Sequence, residues 1–123
     1  MSDYNQQHHP SEIRLKREEK ILEVDFYDGV TARLPAELLR VESPSADVQG
    51  HGPGQKKTVA GRRHVGIMGV EPVGNYAVRL KFDDMHDTGI FTWDYLYDMG
   101  ARQDEMWADY LKALEEKGLS RDP

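Results

Sequence analysis

The first third of the chain alternates between apolar and polar residues, and this alternation restricts the fold more than any other feature. A period of two places successive apolar side chains on one face of a β-strand. Asp28-Gly29 interrupts the pattern, as in a two-residue hairpin turn whose positive φ glycine accepts. The region between Glu12 and Pro35 therefore predicts an antiparallel meander of half-buried strands. Its three apolar runs are Ile13 and Leu15; Leu22, Val24 and Phe26; and Val30, Ala32 and Leu34.

A second group of strands is predicted in the latter half of the chain. The segments 64–73 and 76–82 resume the apolar pattern, and Val73-Gly74-Asn75 joins them as a tight turn. A further short strand is predicted over 88–93. The intervening "DDMHD", residues 83–87, is predicted to be a hairpin loop, because aspartate is favoured in turns for local reasons.

Three helical segments are predicted around these strands. Pro35 begins a short helical turn, since proline is favoured at the first turn of a helix. Thr92 is the predicted N-cap of a second helix, and Gly100 is its predicted left-handed C-terminal residue. A last helix is predicted over 103–117 and ends at Gly118. Its apolar stripe, predicted to face the core, consists of Met106, Trp107, Tyr110, Leu111 and Leu114.

These elements predict the fold class and the domain organisation. The fold class is α+β: an antiparallel, meander-rich β-sheet with short helices and a C-terminal amphipathic helix packed on one face. A chain of 123 residues suits one domain with a core of its own. We predict disordered tails over 1–11 and 119–123, a single domain over 12–118, and within it a long glycine-rich loop over 42–64. A loop of this length in a small domain is usually functional or disordered.

Composition excludes several kinds of chemistry. Cysteine is absent, so the chain has no disulfide, no thiolate nucleophile and no thiolate metal ligand. The formal net charge of −6 opposes nucleic-acid binding, which we regard as unlikely. Because the sequence shows no apolar run that would cross a membrane and no secretory leader, we expect a cytoplasmic protein with no membrane partner. The sequence leaves the oligomeric state open.

A local basic strip lies within the glycine-rich loop despite the acidic total. It consists of Lys56, Lys57, Arg62 and Arg63. Such a strip can hold an anion or an acidic protein partner, with RNA phosphate as the weaker alternative. The simpler interpretation is a solvated surface, since lysine and arginine clusters near strand ends usually have no other role. The strip is not a phosphate-binding P-loop, because no strand precedes it and no helix follows it.

Several stretches of the sequence together resemble a known family. They are "DGVTARLPAELLRVE", "SPSADVQGHGPGQ" and "VGIMGVEPVGNYAVRLKFDDMHDTGIFTWDYLY". From Ile13 to Gly100 the chain is similar to the family named for the N-terminal domain of gamma-butyrobetaine hydroxylase, in its bacterial stand-alone form. The resemblance implies a module that precedes the catalytic domain of a dioxygenase, a domain for which this chain has no room. Relatives attached to nucleotide-binding proteins that assemble iron–sulfur clusters imply a link to metal-cofactor pathways.

The resemblance also implies a zinc site made of three cysteines and one histidine. The family's cysteine positions correspond here to Ser43, Ser45 and Val48, and its histidine corresponds to His86. Serine hydroxyls do not replace thiolates as zinc ligands, and valine cannot ligate at all. The Cys3His site is therefore not retained in that form.

A different metal site remains open if the long loop folds over the acidic turn. His51 would then approach His86, with Asp83, Asp84 or Asp87 nearby. Two imidazoles and a carboxylate suit iron or zinc. The simpler alternative is that His86 hydrogen-bonds within its own turn and that His51 is exposed.

The sequence carries no recognisable nucleophile motif, and one histidine beside three acids is weak support for catalysis. We therefore predict a small noncatalytic binding or accessory module with a protein partner, docked through the loop and the exposed parts of Trp93, Tyr95 and Tyr97. Burial of these three aromatic side chains is the simpler alternative. The alternative function is an iron- or zinc-binding accessory protein linked to metal-cofactor or iron–sulfur pathways. An enzyme would need a closed pocket with perturbed titrating groups.

Overall fold

The computed structural model describes residues 6–52 and 54–123. Residues 1–5 of the predicted tail and Pro53 of the predicted loop lie outside the described residues. The first half of the chain forms β1 (Pro10–Lys16), β2 (Ile21–Phe26), β3 (Thr31–Pro35), α1 (Ala36–Val41) and α2 (Ala46–Gln49). The second half forms β4 (Ile67–Val73), β5 (Ala77–Phe82), β6 (Gly89–Thr92), α3 (Trp93–Ala101) and α4 (Gln103–Glu116).

The strands form two antiparallel three-stranded sheets, in the orders β1-β2-β3 and β4-β5-β6. Each sheet is a meander, because strands that follow one another in sequence pair side by side. The α+β class predicted from the sequence is confirmed, and the predicted sheet is divided into two.

The hairpin between β2 and β3 follows the predicted turn with one additional residue. The backbone N–H of Phe26 donates to the carbonyl of Val30 at 2.9 Å, and Gly29 alone in this turn has a positive φ, of 90°. Asp28 Oδ1 accepts the Val30 N–H at 3.0 Å. The connection is therefore a three-residue loop closed by a left-handed glycine, where the sequence signal indicated a two-residue turn.

Charged side chains on the first sheet neutralise one another across the strands. Glu23 of β2 is opposite Arg14 of β1 and Arg33 of β3. Its carboxylate accepts hydrogen bonds from Arg33 Nε at 2.5 Å and from Arg14 Nε at 3.0 Å. The hydrogen bond from Arg33 has the largest effect and that from Arg14 the next largest, and together they lower the pKa of Glu23 to about 2. The carboxylate and its two arginines therefore neutralise one another within the sheet.

The core joins both sheets to α3, and a glycine allows the close approach. A Cβ placed on Gly100 would lie only 2.7 Å from the Cβ of Ala32 in β3. The sequence analysis assigned Gly100 a left-handed conformation at the helix end, and this was wrong: α3 continues through Gly100 to Ala101, and the glycine does not have a positive φ. Glycine is needed here for packing, because any side chain would push the helix off the strand. The core around this contact includes Leu22, Val24, Leu34, Val78, Leu80, Phe91, Leu96 and Met99.

The last helix follows α3 after a single residue, Arg102. Met106, Tyr110 and Leu114 are buried, but Leu111, predicted to be in the core stripe, is 40% exposed. The spacing explains the error, since side chains four residues apart share a face and Leu111 lies about 100° around the helix from Tyr110. None of the helices within residues 6–52 and 54–123 has the length and apolar character that a membrane crossing requires.

The predicted C-terminal signal of α4 is confirmed at Gly118, which has a φ of 66°. The Leu119 N–H donates to the carbonyl of Leu114 at 2.9 Å, and the Gly118 N–H donates to that of Glu115 at 3.1 Å. This pair of bonds is a Schellman motif, which satisfies carbonyls that the helix leaves free. The motif turns the chain back towards α1.

Specific contacts hold the segments that flank the predicted domain. β1 begins at Pro10, two residues before the predicted boundary. The His8 ring stacks on Tyr97 with the ring centroids 3.5 Å apart, and its Nδ1 lies 3.0 Å from Asp94 Oδ1. At the other end, Arg121 donates hydrogen bonds to both carboxylate oxygens of Glu37.

The segment 42–64, predicted as a long loop, contains helix α2. Two backbone hydrogen bonds join it to residues 120–121.

Candidate functional site

Residues 83–87, the acidic turn, are first of all a turn. The Phe82 N–H donates to the carbonyl of His86 at 2.9 Å, and the His86 N–H donates to Asp84 Oδ1 at 3.1 Å. Met85 at the tip has a positive φ of 75° and is 89% exposed. The predicted hairpin loop is therefore present, with one aspartate used to close it.

The histidine of this turn points inward to two serines. His86 is only 8% exposed, and its Nε2 lies 2.9 Å from Ser43 Oγ and 3.3 Å from Ser45 Oγ. The loop that follows α1 brings both hydroxyls to the ring. Ser43, Ser45 and His86, together with Arg40 and Asp84, are called the serine–histidine cluster below.

A glycine also fits this cluster to the second sheet. A Cβ on Gly89, the first residue of β6, would lie 2.4 Å from Ser43 Oγ and 3.0 Å from the Phe91 ring. Real Cβ atoms essentially never approach another atom as closely as 2.4 Å. Gly89 therefore allows β6 and the serine loop to touch.

Two arginines from distant segments meet on the carboxylate of Asp84. Its Oδ2 accepts a hydrogen bond from Arg40 Nε at 2.7 Å and from Arg62 Nε at 2.6 Å. The Arg40 side chain is 10% exposed, and its Nη1 is buried with no hydrogen-bond partner among the described residues. The ion pair therefore joins α1, the long loop and the acidic turn.

The charge states follow from these surroundings. Burial is the main cause that lowers the pKa of His86, and the nearby Arg40 guanidinium lowers it further. Burial alone would raise the pKa of Asp84, but hydrogen bonds from Arg40 and from the His86 N–H outweigh it and lower the pKa. At neutral pH the cluster therefore holds a neutral imidazole beside an ionised carboxylate.

A serine within hydrogen-bonding distance of a histidine is also the first requirement of a nucleophilic site. Here Ser43 has no exposed surface, and Asp84 contacts the backbone of His86. A substrate could not reach the Ser43 hydroxyl without opening the fold. The arrangement fits a buried clip between the serine loop and the acidic turn better than a catalytic pair.

Two of the three cysteine positions that the family resemblance implies meet His86, but the side chains present do not fit zinc. Ser43 and Ser45 converge on His86, and Val48 is 1% exposed. Two hydroxyls, one imidazole and an isopropyl group lack the thiolates on which such a site depends. Hydrogen bonds hold Ser43 and Ser45 to His86, and Val48 is packed in the interior.

The alternative metal ligands stand in different surroundings. His51 is exposed, and its backbone N–H donates to the Gln55 side chain at 2.9 Å. Asp84 is engaged by two arginines, and Asp87 is exposed. Within residues 6–52 and 54–123, no three histidine, aspartate or glutamate side chains are grouped so as to hold a metal ion.

Most of the predicted basic strip is neutralised inside the molecule. Lys56 pairs with Glu42 at 2.6 Å, Arg62 with Asp84 at 2.6 Å, and Arg63 with Asp122 at 2.5 Å. In the parts of the chain that the structure describes, Lys57 is the member of the strip with no ion pair. Little free positive charge is left for an anionic partner.

The three aromatic side chains predicted as a docking patch are used internally. Trp93 is 7% exposed, and its indole N–H donates to the carbonyl of Asn75 at 2.8 Å. The Tyr95 hydroxyl donates to the Glu42 carbonyl at 2.5 Å, and burial raises the Tyr95 pKa. The hydroxyl of Tyr97 bonds to a carboxylate of the β2–β3 loop at 2.8 Å. These contacts hold α3 in place and form no contiguous exposed patch.

A surface that the sequence analysis did not single out lies on α4. Exposed side chains recur at positions i, i+4, i+7 and i+11 of the helix, beside the half-buried Trp107. The two end residues of this stripe, Asp104 and Glu115, are acidic, and the two middle residues, Ala108 and Leu111, are apolar. Their spacing is visible in the sequence as a second stripe, on a different side of the helix from the core. This surface, called the α4 face below, consists of Asp104, Trp107, Ala108, Leu111 and Glu115.

A hollow of about 300 Å³ opens beside the α4 face. Pro35, Leu38 and Trp107 supply apolar walls, while Glu37, Asp104 and Arg121 supply the polar groups. Small-molecule pockets in proteins typically have volumes of about 300–1,000 Å³. The hollow therefore has room for an inserted apolar side chain.

The wall of this hollow is held firmly. The guanidinium carbon of Arg121 lies 4.9 Å from the Trp107 ring centroid, and the Tyr110 ring lies 5.4 Å away with a tilt of 45°. Arg121 also donates to both carboxylate oxygens of Glu37, at 2.8 and 2.7 Å. Trp107 is thus fixed by a cation–π contact and an aromatic contact before any partner arrives.

Four of the five acids of α4 lack an ion-pair partner among the described residues. Asp104, Asp109, Glu115 and Glu116 make no ion pair with any described residue, whereas Glu105 pairs with Arg102 at 2.8 Å. Within Gln103–Glu116 the cationic side chain is Lys112. The α4 face therefore carries negative charge that the fold does not neutralise.

Comparison with known proteins places this arrangement in a family. Residues 13–97 match the model of the family described as gamma-butyrobetaine hydroxylase-like, N-terminal. The chain belongs to this family. None of the curated proteins matches the chain. The family match includes the serine–histidine cluster, whereas α4 lies beyond the matched residues.

Three solved structures of relatives share the fold. One solution NMR structure is 51% identical, covers 94% of this chain and 91% of its own, and has a TM-score of 0.83. A second is 42% identical, covers 100% of this chain and 92% of its own, and has a TM-score of 0.83. The third is a crystal structure from Acidithiobacillus ferrooxidans, of a protein of unknown function in the DUF971 family. It is 46% identical, covers 76% of this chain and 93% of its own, and has a TM-score of 0.64.

Proposed function

We propose that this family member is a noncatalytic binding module that docks a protein partner through the α4 face. The observation that carries the proposal is the hollow beside Trp107, which opens on a helix where four of the five acids make no ion pair with any described residue. An apolar pocket with free charge at its edge has the anatomy of a protein interface, in which a buried centre is surrounded by a polar rim.

The residue types support the same use. Tryptophan is among the side chains that contribute most to protein–protein binding, and such residues cluster around pockets. Trp107 is held in position by Arg121 and Tyr110, so a partner would not have to order it. Leu111, at 40% exposure, would lose further apolar surface when a partner docks.

The serine–histidine cluster supports a noncatalytic role. Its hydroxyl nearest the imidazole belongs to Ser43, which has no exposed surface, and its carboxylate is engaged by Arg40 and Arg62. The groups with the most enzyme-like composition therefore serve the fold. The α4 face, in contrast, is where unengaged groups meet solvent.

In-cell photocross-linking tests the proposal. Leu111 is replaced by a benzoylphenylalanine side chain, and Met85 is replaced likewise as the control. Because Met85 is 89% exposed and Leu111 only 40%, capture by exposure alone would favour the control. We expect Leu111 to give one discrete cross-linked product, and the second substitution Ala108→Arg to reduce it several-fold by placing a long side chain across the face.

Two results would overturn the proposal. One is cross-linking from Met85 that equals or exceeds that from Leu111. The other is a product from Leu111 that Ala108→Arg leaves unchanged while circular dichroism shows an intact fold. Trp107→Phe serves as a milder second variant, since it keeps an aromatic wall and removes the indole N–H.

A further inference from the structure

The exposed stripe of α4 has a definite length and charge order. Asp104 and Glu115 are eleven residues apart, which corresponds to about 16 Å along a helix. Ala108 and Leu111 lie between them on the same side. The stripe is therefore acidic at both ends and apolar in the middle, in the pattern by which one helix packs along another.

The local charges restrict what can cover this stripe. Asp109 and Glu116 flank it and, like its two end residues, make no ion pair with any described residue. The nearby cations without an ion pair among the described residues are Lys112 and Lys117, and Lys117 is turned to the long loop, where it donates to Thr58 at 2.9 Å. Arg102 is engaged by Asp98 and Glu105. The excess of acids opposes a nucleic acid or an anionic lipid surface, because like charges would face each other.

A second copy of the same helix fits poorly for the same reason. Two α4 stripes laid side by side, parallel or antiparallel, would bring an acidic end of one against an acidic end of the other. Like charges placed opposite each other across an interface disfavour the pairing. The surface requires an occupant with the opposite charge order.

We infer that the partner of the α4 face presents a basic amphipathic helix. Two cationic side chains about 16 Å apart pair with Asp104 and Glu115, and small apolar residues between them pack on Ala108 and Leu111. A larger apolar side chain of the same helix enters the hollow beside Trp107. This inference rests on the proposed function, because it specifies the chemistry of the partner at that same surface.

A pair of synthetic peptides tests the charge order on the full chain. The first is a helical peptide with the pattern Lys-x3-Ala-x2-Leu-x3-Lys in an alanine and glutamine background, and the second carries glutamates in place of the lysines. We expect the lysine peptide to shift the NMR signals of the Trp107 indole and the Leu111 amide and to bind more weakly as salt is added. The glutamate peptide is expected to cause no shifts.

Charge reversal of the protein supplies the decisive comparison. In the double variant Asp104→Lys with Glu115→Lys, we expect affinity for the lysine peptide to fall roughly three- to tenfold, the scale of two exposed ion pairs. The same variant is expected to bind the glutamate peptide. The matched control, Glu18→Lys with Asp87→Lys, makes an equal change in net charge at exposed residues outside α4 and is expected to keep the wild-type preference.

The outcomes separate this inference from the function on which it rests. Equal losses in both double variants, or shifts spread over the acidic surface, would show that the lysine peptide responds only to net charge and would overturn the inference. If cross-linking from Leu111 identifies a partner whose contacting segment is acidic or neutral, the inference fails while the proposed function stands. If Leu111 captures no partner, both the proposed function and the inference about the partner's charge fail.

Discussion

The serine–histidine cluster and the α4 face place similar kinds of residue in opposite situations. In the cluster, a carboxylate, an arginine, a histidine and two hydroxyls are turned inward and, with Arg62 of the long loop, satisfy one another almost completely. On α4, four of the five acids have no ion-pair partner among the described residues, and one of these, Asp104, lines the same hollow as Trp107. The comparison shows that a conspicuous set of reactive side chains can serve the fold, while an ordinary-looking helix offers the unengaged groups that recognition needs.

The largest expected effect comes from giving the cluster the ligands it lacks. We predict that the triple substitution Ser43→Cys, Ser45→Cys and Val48→Cys creates a stoichiometric zinc site with His86, because two of these positions already converge on the ring. Structural zinc sites in small domains bind with about 10 kcal/mol or more. The measurements are metal content after purification without a histidine tag, and thermal unfolding with and without chelator.

The unaltered protein is the control for the zinc experiment. We expect its unfolding temperature not to respond to zinc, iron(II) or chelator, and the His51 and His86 ring signals not to move. One bound metal ion in the unaltered chain, lost on His86→Ala, would instead support the metal-binding alternative. It would also remove the contrast between a cluster that serves the fold and a surface that serves binding.

A smaller effect is expected from removing the same functional group in each region. Asp84→Ala leaves Arg40, which is 10% exposed, without its partner, and we predict a loss of about 3 kcal/mol in the free energy of unfolding. Asp104→Ala on the α4 face is predicted to change it by less than about 0.5 kcal/mol. Urea denaturation of both variants measures the difference. Equal losses would mean that the acids of α4 are as structural as Asp84.

The smallest effect concerns the pH dependence of stability. Because the pKa of His86 is lowered in the fold, the unfolded chain binds a proton more readily, and stability is lost as the pH falls below about 6.5. One such group changes the free energy of unfolding by at most about 1.4 kcal/mol per pH unit. We expect His86→Gln to flatten the curve between pH 7 and pH 5 relative to the unaltered protein. An identical slope in both would show that His86 does not carry the dependence.

Features that depend on short stretches of sequence were predictable. Period-two alternation indicated the strands, Gly118 marked the end of α4, and Thr92 was correctly identified as an N-cap, since its hydroxyl accepts the Tyr95 N–H at 3.2 Å. Each of these signals acts within a few residues, so the sequence pattern and the physical cause occupy the same window.

Features that depend on partners far along the chain were not predictable in the same way. Arg40 meets Asp84 across 44 positions, and Arg62 meets it across 22. The sequence showed Arg62 only as part of a basic strip, because no residue near Arg62 in the sequence indicates that it pairs with Asp84. The same limit explains Leu111: a run of apolar residues in a helix does not show how wide the buried stripe is until the opposing surface is known.

The contact between Gly100 and Ala32 also bears on how relatives can diverge. With only 2.7 Å available to a Cβ at position 100, the two positions share one small volume although one lies on a helix and the other on a strand. A side chain at position 100 is tolerated only if residue 32 becomes glycine or the helix moves away, and a larger side chain at position 32 only if the helix moves away. We therefore expect positions 32 and 100 to change together across the family's history, as a covarying pair that records the distance between α3 and β3.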